Sequence, residues 1–307
     1  MYNKVLFIGS KESGFRVLKN MFRMSPDKMI GCVTVDDSED MRSKLKEFQS
    51  FCGKKNINIE VLSGKCDLTD IVEKFNPDIC FVMGWYYIIP ENLLEKVSGG
   101  FIGIHNSILP AHRGFAPVVW AMIGGESRTG FSVFSFDGGM DTGDVWYQET
   151  VEIEADDYVA DILDKIDKRI GLFFEKHYLK ILSGELEPHK QATEGISYGA
   201  RRTEEDGYIV WSEDNDKIYN FIKAQSKPYP GAFTIYKGKK ITIWRADKFQ
   251  YPIQGNPGQV GLIDKKNKEV IVVCGNNTGI VIKAIEIEGK EMVVTDYIKS
   301  LNDRLGA

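Results

Sequence analysis

Residues 4–24, KVLFIGSKESGFRVLKNMFRM, carry the reading that decides the fold. Val5, Leu6, Phe7 and Ile8 form an apolar run with no polar alternation, the pattern of a strand covered on both faces. Gly9-Ser10 interrupts it. Phe15, Leu18, Met21 and Phe22 then recur at helical spacing. Strand, tight turn and amphipathic helix in that order open a parallel βαβ arrangement. The alternation continues, with strands expected over 29–35, 57–62, 79–83 and 101–105 and helices over 40–52, 68–74 and 116–123. The expected fold class is therefore α/β, a doubly wound and mostly parallel (Rossmann-like) sheet. Two further strands, 129–136 and 146–153, precede a long amphipathic helix over 158–182 that stops at Ser183-Gly184.

After that helix the pattern changes. Residues 185–206 are polar, carry Pro188, Gly195 and Gly199, and read as a connection. A helix over 214–226 follows, then short strands over 231–236, 240–245, 258–264, 269–274 and 278–287, broken by Gly and Pro. Regular short strands of this kind predict a small C-terminal β-barrel, OB-like in character. The expected division is 1–188 as catalytic domain, 189–206 as linker and 207–307 as a β-rich domain.

The 307 residues suffice for two buried cores, and 43% apolar against 27% charged is a globular balance that excludes dominant disorder. A net charge of −5 argues against a large nucleic-acid footprint. Cys32, Cys52, Cys66, Cys80 and Cys274 form no CxxC pair and no His-bearing ligand pattern, so buried free thiols in a reducing compartment are expected, with no metal. The apolar run at the N-terminus is too short for a signal peptide or a membrane span. A cytoplasmic protein with no membrane partner is expected.

In an open parallel sheet, ligands gather at the carboxyl ends of the strands. Three such ends carry unusual residues. Gly9-Ser10-Lys11 leads into a helix, where backbone N–H groups favour an anion, but no GxGxxG dinucleotide pattern is present. His105-Asn106-Ser107, followed by His112-Arg113-Gly114, is too polar for a core segment. Asp137-Gly138-Gly139-Met140-Asp141-Thr142-Gly143-Asp144 reads either as a solvated turn or as a cation loop, and it lacks EF-hand spacing.

Taken together, HNSILPAHRGFAPVVWAMIGGESRTGFSVFSFDGGMDTGDVWYQ, residues 105–148, resembles the formyltransferases that use 10-formyltetrahydrofolate. Those proteins carry Asn-x-His-x-Ser-Leu-Leu-Pro, an aromatic-Arg-Gly step and a Gly-x-Asp-x-Gly loop. Arg201 to Trp211 and Ile222 to Phe233 are similar to blocks of the members that have a second domain. The resemblance covers about residues 79–290. It implies acyl transfer from folate N10 to an amine, with His105 moving the proton and Asp141 orienting the imidazole. It also implies a folate pocket walled by Gly84, Trp85 and Ile88 on one side and by Asp137, Gly138 and Met140 on the other.

One departure stands out. The family Asn two residues before the His is Gly103 here, and the missing carboxamide is the kind of oxyanion donor worth about 3–4 kcal/mol in acyl transfer. A water or a neighbouring donor is the favoured replacement. Asn106 can serve only if the strand ends at His105, because a continuing strand would point it to the other face. Gly103→Asn is expected to be tolerated by the fold. The second reading is a protonated His105 holding the oxyanion alone, and the third is lost catalysis, leaving a protein that only binds folate or sugar nucleotide.

The resemblance leaves three acceptor classes: initiator methionyl-tRNA, nucleotide-linked amino sugars and a purine-pathway glycinamide. The acidic run Asp36-Asp37-Ser38-Glu39-Asp40 supplies no phosphate contact, so the favoured partner is a nucleotide-activated 4-amino-4,6-dideoxyhexose, with no nucleic acid. Ser10, Lys11 and Arg113 are the expected diphosphate contacts, and Tyr229 the aromatic for the base. A homodimer is compatible with an apolar face on the barrel.

Overall fold

The computed structural model describes residues 1–64 and 68–306; the thiol expected at Cys66 lies outside the described residues. The chain divides into two compact units, one of residues 1–114, 129–151 and 164–198, the other of residues 115–128, 152–163 and 199–307. The division is not the linear one expected, because two short segments of the N-terminal region, 115–128 and 152–163, belong with the C-terminal unit.

The first unit is built from β1 (Val5–Gly9), α1 (Lys11–Met24), β2 (Met29–Val35), α2 (Leu45–Lys55), β3 (Ile59–Leu62), α3 (Thr69–Phe75), β4 (Ile79–Met83), α4 (Glu91–Leu94) and β5 (Phe101–His105). After β6 (Arg113–Gly114) and α5 (Pro117–Ile123) come β7 (Arg128–Ser135), β8 (Val145–Glu152) and α6 (Val159–Phe173). The sheet order is β3-β2-β1-β4-β5-β7-β8. β1 pairs in parallel with β2 and β4, and β4 with β5; β7 runs antiparallel to β5. The order reverses between β1 and β4, which opens a crevice at their carboxyl ends. All five residues of β1 and all five of β4 are buried, as their continuous apolar runs require.

α1 covers the sheet with Val17, Leu18 and Met21. Phe15 and Phe22, expected on the same stripe, pack instead on Phe48 and Phe51 of α2, with ring centroids 5.2–5.8 Å apart. The long helix after β8 is interrupted by a π-helical turn, Phe174–Tyr178, before α7 (Leu179–Ser183). The turn lets Phe174 and Tyr178 both reach Phe81 of β4. Residues 189–198, read from sequence as part of a linker, are a strap of unit 1. His189 exchanges two backbone hydrogen bonds with Val145, and Ser197 accepts one from Arg113. Polar composition concealed this, because the strap is held by hydrogen bonds rather than by apolar burial.

The second unit contains β9 (Tyr198–Gly199) in part, α8 (Asn215–Gln225), β10 (Ala232–Tyr236), β11 (Lys239–Lys248), β12 (Val260–Asp264), β13 (Glu269–Val273), β14 (Gly279–Ile287), β15 (Lys290–Val293) and α9 (Val294–Tyr297). Its six antiparallel strands run β10-β11-β14-β13-β12, with β15 also on β14. Register shifts in β11 bend the sheet around Ile241, Ile243, Val270, Val272, Ile280, Ile282 and Ile285, all buried. Each is worth roughly 1.5–3 kcal/mol relative to exposure. Asp214 caps α8 by accepting from the Lys217 N–H at 2.9 Å. Cys32, Cys52, Cys80 and Cys274 are free and buried, as expected. Among the described residues no group of side chains could hold a metal, and no helix is long and apolar enough to cross a membrane.

Candidate active site

β5 ends at His105, where the register pairs His105 with Ser132 and Gly103 with Phe134 of β7. The chain then turns sharply. Ser107 Oγ donates to the Ala111 carbonyl at 2.6 Å, and Ser132 Oγ donates to the Ser107 carbonyl at 2.6 Å. Gln148 Nε2 donates to the Leu109 carbonyl at 2.8 Å. The turn brings the His112 carbonyl to 2.7 Å from His105 Nε2. A carbonyl only accepts, so Nε2 carries the proton and Nδ1 carries the lone pair in the neutral ring. Nδ1 faces Asp141 Oδ2 at 3.6 Å, just beyond hydrogen-bond distance and within ion-pair reach if the ring is protonated. The two side chains are 10% and 22% exposed, respectively, so the pair is sheltered but reachable.

Asp141 is held in its own right. It adopts φ +54, which a non-glycine residue takes only when its surroundings compensate. The Gly114 N–H donates to Asp141 Oδ2 at 2.7 Å. Gln191 Nε2 donates to the Asp141 and Gly143 carbonyls at 2.8 and 2.7 Å. Asp137 Oδ1 accepts from the Gly139 N–H and from Thr142 Oγ1, at 3.0 and 2.6 Å, and folds the rest of the loop. Met140 and Ile88 project outward at 52% and 94% exposure. Trp85 packs on the sheet core while its indole N–H has no partner.

At Gly103 a Cβ would lie 2.1 Å from Cε1 of Phe136 and 3.0 Å from Cε1 of Phe134. The Phe136 ring fills the room for a side chain at that position, so an asparagine there must displace it. Asn106 lies just past the strand end, in a bend, free of the strand alternation. Its Oδ1 is buried with no hydrogen-bond partner among the described residues.

The three residues expected to contact the diphosphate each have partners within the protein. Ser10 is buried and donates from Oγ to the Gly84 carbonyl at 2.5 Å. Gly84, at φ +70, has no room for a Cβ, which would meet the Ser10 carbonyl oxygen at 2.6 Å. Lys11 is neutralised by Asp37 at 3.1 Å and Asp40 at 2.6 Å and lies over the Tyr86 ring. Hydrogen bonds from Arg42 and Lys11 hold the Asp40 carboxyl far below the usual carboxylate range despite partial burial. Arg113 is 6% exposed, with Nε and Nη2 on Gln191 Oε1 at 3.2 and 2.6 Å and Nη1 on the Tyr198 hydroxyl at 3.3 Å. Charge and position flagged these residues; the direction of each side chain was not written in the sequence. Tyr229 follows α8 in the second unit, half-buried. A groove of about 530 Å³ lined by Tyr219, Lys223, Asp247, Phe249 and Tyr251 lies wholly within that unit and contains none of the expected folate-wall residues.

The Formyl transferase family model matches residues 28–171, and its C-terminal domain model matches residues 201–302. Methionyl-tRNA formyltransferase of Caldanaerobacter subterraneus subsp. tengcongensis is 31% identical over 301 residues, covering 96% of each chain. The N-formyltransferase of Helicobacter canadensis, solved with folinic acid and dTDP-3-aminofucose, superposes with TM-score 0.70 at 17% identity, over 91% of this chain and 98% of that one. Methionyl-tRNA formyltransferase from Clostridium thermocellum superposes with TM-score 0.58 at 22% identity, over 94% and 99%.

Proposed function

This chain belongs to the formyltransferase family, and from that premise we propose that it moves a formyl group from 10-formyltetrahydrofolate to the amine of a nucleotide-activated amino sugar, with His105 and Asp141 as its proton-transfer pair. The observation that carries the chemistry is the 3.6 Å gap between His105 Nδ1 and Asp141 Oδ2 at the carboxyl edge of the sheet. The neutral amine attacks the formyl carbon. Nδ1 of His105 takes the amine proton, with Asp141 stabilising the imidazolium, and the proton is passed to N10 as the carbon–N10 bond breaks. Nε2–H, tied to the His112 carbonyl, fixes the tautomer throughout. Asn106, just past the end of β5 and free of the strand alternation, is the neighbouring side chain that would donate to the developing oxyanion in place of the family carboxamide. The folate would lie against Trp85, Ile88 and Met140, with the backbone of Gly84 and of the Asp137–Gly138 turn facing the pterin. The unsatisfied Trp85 N–H and the exposed apolar side chains of Ile88 and Met140 fit such a ligand.

The acceptor assignment rests on charge. Lys11 at the start of α1 and Arg42 after β2 are already paired with Asp37 and Asp40, and Asp36 and Glu39 stand exposed beside them. An RNA stem needs unpaired cations in proportion to the phosphates it contacts. A second reading, methionyl-tRNA as acceptor, draws on the 31% identity to a full-length relative of that name. It also draws on residues 199–307, which carry 17 Lys+Arg against 14 Asp+Glu. Incubating the protein with 10-formyltetrahydrofolate and either a panel of dTDP-, UDP- and GDP-linked amino sugars or charged initiator tRNA, with tetrahydrofolate release as readout, separates the two. Release with an amino sugar supports the first reading. Release with tRNA alone supports the second, and binding without release marks a non-catalytic relative.

A further inference from the structure

The strap over residues 189–198 carries a side chain that the reaction as set out above does not use. Gln191 lies between a buried cation and the loop that holds Asp141. Its Oε1 accepts from Nε and Nη2 of Arg113, and its Nε2 donates both of its protons, to the carbonyls of Asp141 and Gly143. Both donors and both acceptor directions of the carboxamide are thereby used, and the side chain has a single orientation in which this works. Arg113 is 6% exposed and has no carboxylate within ion-pair distance among the described residues. Burying a guanidinium without a counter-charge is costly, and here its field is passed through the Gln191 amide dipole to two carbonyl oxygens.

The same cation reaches Asp141 by a second path, because the peptide N–H that follows it, that of Gly114, donates to Asp141 Oδ2. Asp141 is thus gripped at its carbonyl by Gln191 and at its carboxylate by Gly114. Both grips act on a residue in the left-handed region, φ +54, a conformation that relaxes unless it is over-determined. The carboxylate so held faces His105 across 3.6 Å, a gap in which a shift of an ångström changes whether the pair can exchange a proton.

We propose that Gln191 is a positioning residue for Asp141, locked in place by Arg113, so that the strap completes the proton-transfer pair. This rests on the reading that Asp141 works with His105. The test uses the full-length protein carrying Gln191→Glu, Gln191→Ala and, in parallel, Asp141→Asn. Glutamate keeps and strengthens the contact with Arg113 but cannot donate to the two carbonyls, so a merely structural tie to Arg113 survives it. The expected result is a kcat at least tenfold lower in both Gln191 variants, with KM for folate and for acceptor within threefold of the parent and an unchanged thermal midpoint for Gln191→Glu. A parent-like kcat in Gln191→Glu, with Asp141→Asn at least 100-fold down, overturns the positioning role and leaves the role of Asp141 intact. A parent-like kcat in Asp141→Asn overturns both. A fall confined to KM, or one that tracks lost thermal stability in both Gln191 variants, also overturns it.

Discussion

Two polar clusters sit at the carboxyl ends of the same sheet, and they differ in what their charges have left to do. At the ends of β1 and β2, Lys11, Asp37, Asp40, Arg42 and Tyr86 satisfy one another: Lys11 holds two carboxylates, the Tyr86 hydroxyl donates to Asp37, and Arg42 closes on Asp40. At the end of β5, His105 and Asp141 are each anchored by a backbone partner but remain 3.6 Å from one another. Asn106 beside them carries a buried Oδ1 with no partner among the described residues. Both clusters are equally conspicuous in the sequence. The difference that separates a site from a structural ion cluster is that the charges of the first cluster are paired with one another, whereas His105 and Asp141 face each other beyond hydrogen-bond distance.

The largest effect expected apart from the catalytic pair itself comes from closing the one gap in the β5 cluster that packing has filled. Gly103→Asn drives a carboxamide into the Phe136 ring, so it should lower stability by about 2–3 kcal/mol, in the range of other overpacked cores, and turnover at least tenfold. Combining it with Phe136→Leu should return most of the lost stability, a non-additivity that denaturant titration of the four proteins of the cycle measures. In the other cluster, Lys11→Met leaves Asp37 without a cation and Asp40 paired only with Arg42. A loss of about 1–2 kcal/mol in stability is expected, with kcat and both KM values within threefold. A large rise in acceptor KM would instead make Lys11 a substrate contact and erase the contrast.

The smallest effect lies at the margin of the ion cluster, where Arg16 meets Asp167 at 3.4 Å. Burial pushes the Asp167 carboxyl up to about 6, with the Arg16 charge pulling the other way. The folded state therefore favours the neutral acid. That contribution is full below the unfolded value near 4, is lost as pH rises through about 6, and leaves a penalty at pH 8. Asp167→Asn should raise stability by about 1 kcal/mol at pH 8 and leave it unchanged at pH 4, with no change in turnover, as read from unfolding curves at the two pH values.

Much of this architecture was legible beforehand, and the reason is specific. Met29–Val35, Ile79–Met83 and Phe101–His105 have the bounds that the apolar runs predict, because a strand covered on both faces admits no polar interruption. α2 starts at Leu45 rather than near residue 40, because Asp36, Asp40 and Ser43 bond to backbone N–H groups and side chains of the preceding turn and compete with the helix. His105 and Asp141 were legible through the family resemblance. Gln191 was not, since one glutamine in HKQATEGISYG carries no periodicity and its partners are main-chain carbonyls of a distant loop. Nor was the fate of Ser10, Lys11 and Arg113, because residue type reports capacity to bind and only geometry reports whether that capacity is already used.

The central claim is that the His105 imidazole carries the proton in formyl transfer. Tetrahydrofolate release by His105→Ala, compared with the parent protein under saturating 10-formyltetrahydrofolate and the acceptor that turns over, tests it most directly. A fall in kcat of at least 100-fold, with an unchanged thermal midpoint, is the predicted result. Turnover within threefold of the parent would contradict it.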